Sequence, residues 1–144
     1  QSKAGPGVEK LKTLVGTWEG KGPDGKPFET TYQLISGGTC LMETIMPGSE
    51  HSMVTIYHPD GDQLMLTHYC MLNNQPRMRA SVPAGEVKKL NFTFVDAANV
   101  AKPTDQHMSG VTFTFEDQNH VLQEWTLSKD GQATPKVFHL TRKK

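Results

Sequence analysis

Six histidines and two cysteines carry most of the chemistry open to this chain, and their spacing decides how much of it is usable. His51, His58, His68, His107, His120 and His139 are scattered, and none stands at the tight interval of a zinc motif. No metal site is expected. The serines lack the Gly-x-Ser-x-Gly elbow, and Cys40 and Cys70 have no evident activating base, so no nucleophilic triad is assigned. Gly20, Gly22 and Gly25 do not form a phosphate cradle either, because no strand precedes them in the required order and no helix follows. No catalytic residue is named on these grounds.

His68 stands apart. On an alternating strand Leu64, Leu66, His68 and Cys70 share one face, which carries an imidazole into an apolar lining. A buried imidazole must hydrogen-bond, ligate a metal or meet a ligand, because leaving it unsatisfied is costly. The plain reading is a structural histidine satisfied by a neighbour or water; the functional readings are an anchor for a ligand or an acid or base inside a cavity. Gln123 enters the same way beside Val121, Trp125 and Leu127. Arg77 and Arg79 alternate with Met78, Ala80 and Val82, which turns them to solvent. The alternative places Arg79 at a cavity mouth, where a guanidinium can grip a carboxylate.

The elements that must position these side chains are mostly strands. Val8, Leu11, Leu14 and Val15 are spaced for one or two helical turns over about 8–15, behind Gly5-Pro6-Gly7. After Gly16 the chain becomes short β-branched and aromatic segments bounded by Gly, Pro, Asp or Asn. Strands are predicted over 17–22, 28–36, 39–46, 51–58, 63–70, 77–82, 90–95, 111–116, 120–128 and 136–141. Short turns between successive strands impose antiparallel neighbours, and closure removes the two open edges. The expectation is an all-β, closed antiparallel up-and-down barrel of about ten strands over 17–142, wide enough to enclose a cavity.

Alternation points Leu90, Phe92, Phe94, Val111, Phe113 and Phe115 inward. On the last strand, Val137, His139 and Thr141 against Phe138 and Leu140 read either way. The longest connection, Asp96 to Gly110, has the length of a lid or binding loop, and its composition allows a helical turn. Cys40 and Cys70 fall on strands separated by a third, about 9–10 Å apart at the ~4.8 Å strand spacing, out of disulfide reach.

The length of 144 residues suits a single domain, 1–144, and 35% hydrophobic content supports one core. Fifteen basic residues balance fifteen acidic ones, so nothing draws a nucleic acid or an anionic membrane. No apolar run approaches the ~20 residues of a membrane span. With Gln1 in place of Met, an upstream piece, tag or secretory signal, is expected to have been removed, and the protein to be exported, periplasmic or secreted.

The string Gly16-Thr17-Trp18-Glu19-Gly20-Lys21-Gly22 adds a resemblance. Gly-x-Trp opening the first strand behind a short helix resembles calycin barrels such as lipocalins, and the longer Gly-x-Trp-x-Gly-x-Gly form is similar to nitrobindin-type haem barrels. His58-Pro59-Asp60-Gly61-Asp62, Thr67-His68-Tyr69-Cys70 and Asn74-Gln75-Pro76-Arg77-Met78-Arg79 further resemble an uncharacterised family of exported bacterial lipocalin-like domains. The nitrobindin likeness implies haem, with His139 at the place of its axial ligand.

The function expected is non-catalytic binding of a small apolar or amphipathic ligand in a barrel cavity. Trp18, Phe92, Phe113 and Trp125 would form the apolar wall, and His68, Gln123 and Arg79 would orient the polar end. No cofactor is required on this reading. The alternatives are a haem barrel using His139, an enzyme using His68, and a barrel whose interior is simply filled.

Overall fold

A computed structural model describes residues 4–144. The described residues form one α-helix, α1 (Gly5–Lys12), a short 3-10 turn (Ser36–Gly38) and ten strands: β1 (Gly16–Lys21), β2 (Pro27–Ile35), β3 (Cys40–Ile45), β4 (Met53–Asp60), β5 (Gln63–Tyr69), β6 (Gln75–Ser81), β7 (Lys89–Ala98), β8 (His107–Asp117), β9 (His120–Lys129) and β10 (Gln132–Arg142). Each strand pairs antiparallel with its successor, and β1 pairs with β10, so the sheet closes into a ten-stranded barrel. Closure leaves no free edge in the ring. The turns follow from residue type; Asp130 and Gly131, both at positive φ (52° and 78°), make the two-residue reversal between β9 and β10.

Helix α1 starts three residues earlier than the apolar spacing suggests. Pro6 lies in its first turn, where a missing N–H costs nothing, and the chain leaves the helix after Lys12. Leu14 then packs into the core between helix and first strand. A β-carbon on Gly7 would overlap the side chains of Val82 and Leu64, so the helix rests directly on the barrel rim.

This end is sealed. Trp18 is buried, and its indole N–H donates to the Leu14 carbonyl (2.8 Å). The Arg142 guanidinium lies over the Trp18 ring (4.4 Å) and donates to the carbonyls of Thr13 (2.6 Å), Val15 (3.0 Å) and Gln118 (3.2 Å). A β-carbon on Gly20 would run into the His139 carbonyl across the β1/β10 seam. The Gly-x-Trp-x-Gly string is thereby explained: tryptophan plugs the barrel, and the second glycine lets first and last strands meet.

Side chains fill the middle of the barrel. Tyr57, Phe92 and Phe113 meet edge to face, with Tyr57 5.8 Å from each of the other two, among buried Leu64, Leu66, Met78 and Leu90. The large hollow expected from strand number is therefore not where the concave space lies.

Two expectations need correction. The connection after β7 spans 99–106 alone, without a helical turn, because β7 and β8 both extend: Ala97 and Ala98 pair with Pro76 and Gln75. It is tied down, with Asp105 accepting the N–H groups of Ala101 and Lys102 (both 3.1 Å) and Asn74 donating to the Gln106 carbonyl (2.9 Å). Phe94 is exposed rather than buried: it still pairs with buried Met78, but the β6/β7 register slips by one residue just beyond it, between Phe94 and Asp96, and its ring packs on His107 (centroids 5.1 Å apart). Five of the six predicted inward residues do face the core. Cys40 and Cys70 are free thiols on β3 and just beyond β5, with β4 between.

Candidate functional site

Two layers lie between the sealed end and the open one. The deeper is polar. Tyr32, Glu43, Thr55 and His68 are direct cross-strand partners on β2, β3, β4 and β5, so the pleat points all four into the barrel as one row. All four are buried.

Glu43 is the hub. It accepts hydrogen bonds from the Tyr57 hydroxyl (2.6 Å), the Thr30 hydroxyl (2.7 Å) and the Gln123 amide (3.2 Å). Burial pushes its carboxyl above the usual carboxylate range, and these donors pull it part of the way back. Burial, then the neighbouring Glu43, drives the Tyr32 and Tyr57 hydroxyls well above their ordinary pKa, so both stay protonated. Gln123 reaches in from β9, opposite β4 in the ring, and also donates to the Tyr32 oxygen (3.0 Å). Its own carbonyl accepts from the Trp125 indole (2.9 Å). Both amide N–H groups are thus spent on bracing two walls, and neither is left to donate to a ligand.

His68 ends the row. Its Nδ1 shares a hydrogen bond with the Thr55 hydroxyl (2.8 Å), its ring packs on Trp125 (centroids 4.6 Å apart), and among the described residues its Nε2 has no partner. Burial lowers its pKa to about 4, so the ring is neutral at physiological pH.

The outer layer is apolar and open. Two residues toward the mouth from Thr30, Glu43 and Thr55, the same strands present Phe28, Ile45 and Met53. With Met46, Met71, Met108 and Phe138 they line a cleft of about 490 Å³ at the end opposite α1. Phe28 and Phe138 pack together (4.4 Å, 39°). His51, Lys26 and Lys136 bring positive or potentially positive charge to the same lining. The volume lies in the ~300–1,000 Å³ range of small-molecule sites.

The predicted site residues divide between these regions. His68, Gln123 and Trp125 come together; Phe92 and Phe113 belong to the aromatic plug below them, and Trp18 to the sealed end. Arg79 does not join them. It stands on the outer wall, 3.8 Å from Asp60, beside Arg77, which grips Asp96 through two hydrogen bonds (2.7 and 2.6 Å). His139 is also exposed on the outer wall, opposite in facing to buried Leu140, so its imidazole does not enter the barrel. The residues present do not fit a haem held inside through His139.

Sequence reasoning missed Glu43 and Lys136. Both are charged residues at apolar-face positions, in Leu41-x-Glu43-x-Ile45 and Lys136-x-Phe138-x-Leu140, and that period was the available signal.

Neither a family model nor a curated protein matches the sequence. Among solved structures the chain is similar to the crystal structure of Rv2717c from M. tuberculosis, with a TM-score of 0.66 over 96% of this chain and 98% of that one. Identity is 15%, so the likeness is one of fold. Among the described residues no helix is long and apolar enough to cross a membrane. The closed antiparallel barrel is an architecture that can hold a ligand.

Proposed function

We propose that this protein is a binding barrel that takes a small apolar or amphipathic ligand at its open mouth. The observation that carries the reading is the cleft of about 490 Å³ lined by Phe28, Ile45, Met46, Met53, Met71, Met108 and Phe138. Methionine thioethers adapt to irregular apolar shapes, which suits a site receiving a guest. The polar row beneath holds the strands around the cleft in place, and the plug of Tyr57, Phe92 and Phe113 sets its depth.

Titration with the neutral fluorophore N-phenyl-1-naphthylamine tests this. Saturable, one-to-one enhancement is expected, with loss in Met71→Asp and Phe138→Ser and none in Phe94→Ser, which lies outside the cleft lining. Far-UV circular dichroism checks that each variant is folded. No saturable enhancement, or equal loss in Phe94→Ser, would remove the reading.

A further inference from the structure

Lys136 occupies a position that strand geometry reserves for the lumen. On β10 it shares a face with Phe138 and buried Leu140, and its cross-strand partner on β9 is buried Trp125. Antiparallel partners project to the same side of the sheet, so the lysine stem runs along the cleft wall and its ammonium emerges at the mouth. The residue is half-buried.

Among the described residues its ammonium makes no ion pair or hydrogen bond, and neither does that of Lys26 on the same lining. His51 adds a third basic group, with Glu50 at 3.5 Å. Asp24, the one acid on the lining, already accepts the backbone N–H of Lys26 (3.0 Å). The rim is therefore short of negative charge beside an apolar floor.

We infer that the ligand is a single-chain amphiphile with an anionic headgroup, its chain on the Phe28, Phe138 and methionine floor and its headgroup on Lys136, assisted by Lys26. This rests on the mouth being the binding site. Carboxylate and phosphate heads share the required chemistry, since either accepts charge-assisted hydrogen bonds from an ammonium.

The test is calorimetric titration of the full chain with dodecanoate, dodecyl phosphate, dodecanol and dodecyltrimethylammonium, each below its micelle concentration. The two anions are expected to bind about tenfold or more tightly than dodecanol, the scale of one charge-assisted contact at a partly exposed site, and the cation more weakly still. Their relative affinities show which headgroup is preferred. Lys136→Met, which keeps the apolar stem, should erase the anion preference by lowering the affinity for both anions toward that for dodecanol, and Lys136→Arg should restore it. Raising salt should narrow the gap.

Equal binding of all four probes, or an anion preference that survives Lys136→Met together with Lys26→Met, would overturn the inference while leaving the mouth as the site. Absence of binding by any probe, with no N-phenyl-1-naphthylamine signal, would remove both.

Discussion

The two ends of the barrel are built on opposite principles. At the helix end the plug is fully engaged: Trp18 is buried, its N–H is bonded, and Arg142 ties three carbonyls from two segments across its ring. At the mouth Met46, Met53, Met108, Phe28 and Phe138 are only partly covered, and Lys136 lacks a counter-ion among the described residues. Satisfied groups are concentrated at the helix end, and open apolar space and unpaired charge at the mouth. The polar row from Tyr32 to His68 lies between them and passes rigidity from one to the other.

The sharpest break in that contrast is at the seal. Trp18→Ala should cost about 3–5 kcal/mol in chemical denaturation, as large-to-small core changes do, while leaving dodecanoate affinity of the folded protein unchanged. A mouth that weakens in proportion would show that the two ends are not separable.

The intermediate layer gives the next effect. The folded-state pKa of His68 is depressed, so the stability it confers is complete above its unfolded value near 6.5 and is lost as pH falls toward about 4. The loss amounts to about 3 kcal/mol over that window, and His68→Leu should flatten it. Glu43 works in the opposite sense: its raised folded pKa means its contribution is greatest in acid and fades as pH rises through that value. Denaturation midpoints of wild type, His68→Leu and Glu43→Gln between pH 4 and 8 separate the two slopes. An unchanged acid slope in His68→Leu would place the titration elsewhere.

The smallest effect belongs to the outer wall. Arg79→Ala and His139→Ala should alter neither dodecanoate affinity nor its dependence on salt, because both side chains face away from the mouth's interior. A clear loss in either would return the headgroup site to the residues that sequence alone nominated.

Strand number, order and turns were legible because period-two alternation broken by Gly, Pro, Asp and Asn repeats ten times, and local chemistry alone determines it. Where two local signals competed, legibility failed. Val8 to Val15 keeps helical spacing past the helix's end because Leu14 is needed in the core whatever its backbone does. Phe94 keeps strand alternation and its pairing with buried Met78, yet its ring is exposed beside a bulge that pairing with β6 imposes just beyond it. The site was half legible. His68, Gln123 and Trp125 follow from alternation, but that Gln123 serves Glu43 depends on opposite walls meeting across the lumen, which no neighbouring residue in the chain records. Lys136 was hidden because both faces of its strand mix apolar and polar residues, Lys136, Phe138 and Leu140 against Val137, His139 and Thr141, so neither declares itself the inner one.

The seam between β1 and β10 has its own consequence. It joins only Trp18 to Lys21 with His139 to Arg142, whereas β10 pairs with β9 along ten residues. The shortest ladder in the ring is thus the one whose partners lie farthest apart in the chain, with the steepest loop-closure entropy to overcome and the fewest hydrogen bonds to offset it. The hairpin-linked ladders from β1/β2 to β9/β10 can each form between chain neighbours, but the cylinder locks only when β10 meets β1. Until then the tryptophan plug has no guanidinium above it.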